Sequence, residues 1–154
     1  MKKDTKQVIF KVGEEEFGLD IMLVNAIEKY TNVIRIPNSP ECIKGVINLR
    51  GEVIPVYSLR NKFGLKEAEI TDKTKLIVTK SKGILLAYEV DEVKEIVEIP
   101  KEDIFDAPAI VKNASTEYIE YIANVQGRMI ILLYHDGMIT NAEKEVIDSM
   151  DIDQ

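Results

Sequence analysis

The chain has one cysteine, one histidine and no tryptophan among its 154 residues, and each scarcity removes a class of chemistry. Cys42, between Pro40 and Ile43, has no partner for an internal disulfide and reads as a buried thiol in a reducing cytoplasm. Lone His135 comes with no serine or cysteine nucleophile of recognisable signature, so it reads as a structural or exposed histidine and no triad can be built on it. One His and one Cys far apart do not make a metal centre, which needs clustered ligands at fixed spacing. There is no Walker loop and no G-x-G-x-x-G, so no nucleotide or other cofactor site is expected.

Long apolar runs and basic excess are also missing. The longest apolar stretch, Met129 to Tyr134, has the length of a strand and falls far short of the ~18 residues of a spanning helix. The amino terminus, M-K-K-D-T-K-Q, has no apolar region and no cleavage site. The reading is a soluble cytoplasmic protein, and the sequon Asn113-Ala114-Ser115 is then accidental. With 20 Lys and Arg against 27 Asp and Glu, the net charge of −7 disfavours a nucleic-acid partner. The acidic runs Glu14-Glu15-Glu16, Asp91-Glu92 and Glu102-Asp103 lie at turns and strand ends, where solvation explains them better than acid–base catalysis does.

What the sequence does contain is strand grammar. Gly45 to Gly64, G-V-I-N-L-R-G-E-V-I-P-V-Y-S-L-R-N-K-F-G, reads as a strand, a turn on Asn48, Leu49, Arg50 and Gly51, a second strand from Val53 to Tyr57, and a helical turn capped by Ser58 and ended by Gly64. Pro55 has no N–H for a ladder and places its strand at an edge or a bulge. Val8, Phe10 and Val12, then Phe17, Leu19 and Ile21, predict an opening hairpin around Glu14-Glu15. Ile21 to Lys29 fits either a short helix or an irregular crossover, and Val33, Ile34 and Ile36 a brief strand. Further hairpins are expected around Ser81-Lys82-Gly83 and Gln126-Gly127, with Val93 to Ile99 as another strand and Asp106 to Thr116 as a long loop. Asn141 is expected to cap a tail helix over about 141–150. Many short strands and one terminal helix predict an all-β protein, barrel or sandwich, and the length fits one large domain over 1–154 or two small fused barrels. Arg50, flanked by Asn48 and Gly51, reads as a clamp on neighbouring loops in preference to a direct partner contact.

These residues carry a resemblance. I-R-I-P-N-S-P-E-C-I-K-G-V-I-N-L-R-G-E-V-I-P-V-Y-S-L-R-N-K-F-G-L is close to the signature of the CheW family of chemotaxis coupling proteins, and F-K-V-G-E-E-E-F-G-L-D-I, L-A-Y-E-V-D-E-V-K-E-I and G-R-M-I-I-L-L extend it from Val8 to about Met150. The resemblance implies two packed, SH3-like, five-stranded β-barrels with no catalysis, cofactor or metal. It implies an adaptor, recruited to membrane-associated receptor arrays, that couples the cytoplasmic tips of methyl-accepting chemoreceptors to the regulatory domain of the histidine kinase CheA. A receptor groove would contain Val24, Ile27, Val46, Val93 and Ile96, and a coupling hinge Gly45, Asn48, Arg50 and Gly51. The family often carries a glutamate where this chain has Ala26, so Glu28 is the expected substitute partner of Arg50; Tyr57, Ser58 and Ala87 also depart from the usual residues. The alternative is a related module serving another receptor–kinase pathway or belonging to a kinase or a receiver-fused coupling protein. A chain that starts just before its first strand and ends in its own helix and a D-I-D-Q tail fits a stand-alone adaptor better.

Overall fold

A computed structural model of the chain describes residues 3–81, 83–108 and 118–152. Its strands are β1 (Thr5–Val12), β2 (Glu15–Asp20), β3 (Val24–Lys29), β4 (Ile43–Leu49), β5 (Glu52–Ser58), β6 (Lys75–Ser81), β7 (Ile84–Val90), β8 (Glu92–Ile99), β9 (Ile104–Asp106), β10 (Ile119–Val125) and β11 (Arg128–Leu133). Helix α1 (Leu59–Lys62) is a single turn, and α2 (Asn141–Ile152) is the carboxy-terminal helix. The first sheet has the order β8-β1-β2-β11-β10-β9, and the second β3-β6-β7-β5-β4.

The expectation of two closed five-stranded barrels is therefore corrected: the fold is mostly β, but it consists of one six-stranded and one five-stranded sheet, and neither ladder returns to its starting strand. Chemistry at the edges explains why. In the second sheet the segment after β3 meets β4 only at the bridge Ile34↔Val46, and Pro37 and Pro40, which lack N–H donors, prevent that bridge from growing into a strand. In the first sheet the edge strand β9 is three residues long, with Pro100 before it and Pro108 after it.

The two sheets repeat one topology. In each, an edge strand pairs antiparallel with the first strand of a hairpin, and the hairpin's second strand runs parallel to the second strand of another hairpin: β8-β1-β2-β11-β10 in one sheet, β3-β6-β7-β5-β4 in the other. The registers match position by position. Ile43↔Tyr57, Gly45↔Val56 and Asn48↔Val53 in β4–β5 correspond to Ile119↔Leu133, Tyr121↔Leu132 and Asn124↔Met129 in β10–β11, and both pairs carry a bulge at the same place. Gln7↔Asp20 in β1–β2 likewise corresponds to Leu76↔Glu89 in β6–β7. The hairpins β1–β2 and β6–β7 each pass the chain to the opposite sheet, β2 to β3 and β7 to β8.

This exchange explains why β1 is apolar on both faces. Val8, Phe10 and Val12 enter a large core together with Tyr57, Ile77, Leu86 and Tyr88 of the second sheet, while Ile9 turns into a smaller core with Ile99, Ala123 and Ile130. The second sheet has its own small core of Ile47, Ile54, Val56, Leu76, Val78 and Ala87. A side chain of Val, Ile, Leu or Phe buried in this way contributes about 1.5–3 kcal/mol.

Several local expectations are refined. Ile21–Leu23 is one 3₁₀ turn, with Asp20 accepting from the Met22 N–H, and β-branched Val24 and Ile27 continue as strand. Pro55 lies on an interior strand, in a stretch that still lacks a second neighbour, because the pairing of β5 with β7 begins at Val56. Ser58 does cap α1, accepting from the Asn61 N–H. The tail helix is capped by Thr140 rather than Asn141: the Thr140 hydroxyl accepts from the Glu143 N–H and the Glu143 carboxylate accepts from the Thr140 N–H, a reciprocal capping box. Residues 109–117, which include the sequon and most of the expected long loop, and Lys82 lie outside the described residues.

Candidate interaction surface

Arg50 and Gly51 form the two-residue turn between β4 and β5, at φ of 52° and 85°. A tight turn of this kind demands positive φ at both positions, which glycine adopts freely and arginine only at a cost. Asn48 offsets that cost, its Oδ1 accepting from the Gly51 N–H at 3.1 Å. Gly45 is fixed by close approach instead: a Cβ there would sit 2.1 Å from the carbonyl oxygen of Ile34. The Arg50 guanidinium meets Glu28 Oε2 at 3.3 Å, with 72% of the arginine side chain exposed. Solvent screens such a pair, so it holds the turn weakly, worth about 0–1 kcal/mol.

The groove candidates divide into two symmetry-related pairs and an outlier. Val24 and Ile27 lie on β3, and Val93 and Ile96 lie on β8, at matching registers: Ile27 faces Ile77 of β6, and Ile96 faces Val8 of β1. Both strands are sheet edges. Val24 and Val93 pack from the rim against the same large core, whereas Ile27 and Ile96 are 38% and 53% exposed. Val46 lies on β4, at the opposite edge of the second sheet from β3; it is buried and its backbone is bonded to Ile34.

Sequence reasoning missed the charged contacts that join distant segments. Asp91, between β7 and β8, accepts from Arg60 Nε and Nη2 at 3.0 and 2.7 Å and from the Gly13 N–H at 2.8 Å. Burial works to raise the Asp91 pKa, but the guanidinium and the amide outweigh it and hold the carboxyl below its usual value. Arg128 binds Glu16 at 2.5 Å and also Glu95, tying β11 to β2 and β8. Lys44, at the bulge of β4, forms a buried 2.8 Å ion pair with Glu89. Partners 31 to 112 positions apart cannot be read from spacing.

The remaining polar groups are accounted for structurally. The Tyr57 hydroxyl bonds the Met138 carbonyl and the Glu143 carboxylate at 2.8 Å each, docking α2 on the second sheet, and burial pushes its pKa up. His135 Nδ1 lies 3.1 Å from the Tyr88 hydroxyl, and burial lowers the imidazole pKa. Burial raises the Cys42 thiol to about 11, an unreactive form. Among the described residues no three His, Cys, Asp or Glu side chains gather as metal ligands, and no helix is long and apolar enough to cross a membrane.

The surface thus includes two equivalent apolar edges and an exposed arginine turn. Known proteins share this framework. The family described as CheW-like domain matches residues 6–143. The chain is 34% identical over 143 residues to the chemotaxis protein CheW of Klebsiella aerogenes, covering 93% of this chain and 86% of that protein. It is 33% identical over 133 residues to the chemotaxis protein CheW of Bacillus subtilis, covering 86% and 85%. The crystal structure of the scaffolding protein TtCheW from Thermoanaerobacter tengcongensis superposes with a TM-score of 0.77 at 35% identity, covering 87% of this chain and 90% of that one.

Proposed function

Because the chain belongs to the family of CheW-like proteins, we propose that it works by presenting its two equivalent strand edges and its arginine turn to separate partners. It is a non-enzymatic adaptor of chemotaxis signalling, the role of its relatives. The general family role is to link chemoreceptors to the kinase CheA. The finer reading is that an amphipathic helix from a receptor's cytoplasmic tip docks along the edges β3 and β8, and that the regulatory domain of the kinase is the second partner. Recruitment to receptor arrays from the cytoplasm follows from those two contacts.

The observation that carries this reading is the doubled pair Val24/Ile27 and Val93/Ile96. Edge strands that leave an isoleucine half in water while an adjacent valine reaches the core are suited to a partner's apolar stripe. A helix docked in a groove rests on a few such anchors, each worth more than about 1 kcal/mol. Val24 and Val93 pack on the shared core, so charging them would damage the fold; Ile27 and Ile96 separate binding from folding.

The experiment is co-sedimentation with receptor-tip fragments and, separately, with the kinase. Ile27→Asp and Ile96→Asp should each weaken receptor capture at least about fivefold, with melting temperature and kinase capture retained. Normal receptor capture by both variants would rule out the two edges as the docking site.

A further inference from the structure

Matching the two sheets by register also matches the passages between them. Gln7↔Asp20 corresponds to Leu76↔Glu89, and Ile27↔Ile77 corresponds to Ile96↔Val8, so the path from Asp20 to Ile27 is equivalent, residue for residue, to the path from Glu89 to Ile96. Met22 therefore occupies the place of Asp91. The two positions are used in opposite ways. Asp91 accepts from Arg60 and from the Gly13 N–H and closes its passage with charge. Met22 instead carries an apolar side chain that is 86% exposed, the highest of the large hydrophobic residues described.

Ile21 and Leu23 pack against the large core, so the 3₁₀ turn directs them inward and Met22 outward. Asp20 Oδ1 accepts from the Met22 N–H at 2.9 Å, which fixes the turn. Met22 thus continues, beyond the start of β3, the apolar edge on which Val24 reaches the core and Ile27 is half-exposed. A thioether gives this end of the edge a chemistry that valine and isoleucine lack: it packs adaptably against a partner, and it is open to two-electron oxidation. Met129, on β11, is less exposed at 59%, and Met138 is fully buried.

Resting on the reading of β3 and β8 as receptor-docking edges, we propose that Met22 is an oxidation site through which hydrogen peroxide weakens receptor capture. The sulfur lone pair attacks one peroxide oxygen, and an S–O bond forms as the O–O bond breaks. The proton on the attacked oxygen passes to the departing hydroxide, which leaves as water. Sulfur is oxidised by two electrons and the peroxide is reduced. The sulfoxide is polar and accepts hydrogen bonds from water, which it must give up when a partner's apolar stripe covers the edge. Reduction of the sulfoxide restores the apolar anchor. Asp91, at the equivalent place in the other passage, has no such chemistry, so the two edges differ in how they respond to oxidant.

The test treats the whole protein with dilute hydrogen peroxide, maps the oxidised methionines by peptide mass analysis and repeats co-sedimentation with receptor-tip fragments. Met22 should oxidise ahead of Met129 and Met138, and receptor capture should then fall about fivefold or more with melting temperature retained. Bound receptor tip should slow oxidation of Met22. Met22→Leu, similar in volume and without sulfur, should capture receptor normally before and after peroxide, whereas Met22→Gln should capture poorly without it. Full capture by the Met22 sulfoxide or by Met22→Gln would overturn the proposal, as would an equal loss on peroxide treatment in the wild type and in Met22→Leu. Ile27→Asp separates the two failures. If it still loses capture, the docking edge stands and only the oxidation site is withdrawn; if it too captures normally, docking on β3 falls with it.

Discussion

The two sheets fold over the same plan and secure it with different charges. Where the first sheet places Glu120 and Asp20 around a cavity, the second buries Lys44 against Glu89. Where the first sheet holds Arg128 between Glu16 and Glu95, the second gives Arg50, among the described residues, Glu28 alone. The displacement in this last case is regular. Arg128 follows its turn by one residue and Arg50 lies within its turn, while Glu95 occupies on β8 the register that Ala26 occupies on β3. The fold therefore does not depend on any one ion pair: alternation, turn residues and shared apolar faces produce the same sheet twice, and the charges are free to specialise.

The strongest test of that division is the buried pair. Lys44 and Glu89 are 13% and 8% exposed, so removing the lysine leaves a carboxylate shielded from water without its ion-pair partner. Lys44→Met should cost about 3–5 kcal/mol in urea unfolding, whereas Lys44→Met with Glu89→Leu should recover most of the loss, because a matched apolar pair needs no compensation. A double variant as unstable as the single one would mean that this half cannot be repacked, and the comparison between the sheets would fail there.

The Arg60–Asp91 contact has no counterpart in the other half, since the residue matching Arg60 by register is acidic Asp136. It ties the β1–β2 turn, α1 and the β7–β8 passage together through Gly13, Arg60 and Asp91. Arg60→Ala should cost about 1.5–3 kcal/mol, the range for charge-assisted hydrogen bonds that are largely shielded from water. The pH dependence has a defined sign. The Asp91 pKa is lower in the folded state, so its contribution is fully present above the ordinary aspartate pKa and is lost as pH falls through the folded value. Stability measured downward from pH 5 should therefore fall more steeply in the wild type than in Asp91→Asn. Parallel curves would show that Asp91 gains nothing from its partners.

How much of this was legible depended on how local the cause was. The turns Asn48–Gly51 and Asn124–Gly127 announce themselves because an asparagine side chain and a glycine at positive φ meet within four residues. The capping box Thr140–Glu143 is equally local, yet the neighbouring Asn141 obscured it. The alternation that predicts strands does not say which strands close on which, and so barrels were expected where proline-limited edges leave the sheets open. Lys44–Glu89, Arg128–Glu95 and the cavity lined by Gln7, Asp20 and Glu120 depend on register between distant strands, which no single stretch of residues records.

The smallest stability effect, and the sharpest contrast, concerns the two arginines. Arg128 is 32% exposed and shared by two carboxylates, and Arg128→Ala should cost about 1–2 kcal/mol. Arg50 has one carboxylate at 3.3 Å and a backbone at positive φ that arginine adopts reluctantly. Arg50→Ala should therefore change stability by less than about 1 kcal/mol, and Arg50→Asn, better suited to that turn, should match or exceed the wild type. A clamp, as the sequence alone suggests, requires Arg50→Ala and Arg50→Lys to lower melting temperature and coupling together. The geometry separates the two quantities, because a weakly held, exposed guanidinium beside a rigid turn is placed to meet a partner's carboxylate. Kinase capture should then fall in Arg50→Ala and Arg50→Asn with melting temperature retained, and a double-mutant cycle with Glu28→Ala should give a stability coupling below about 0.5 kcal/mol. A large coupling energy, or kinase capture that tracks melting temperature across the series, would restore the clamp and make the two sheets alike in how they use their arginines.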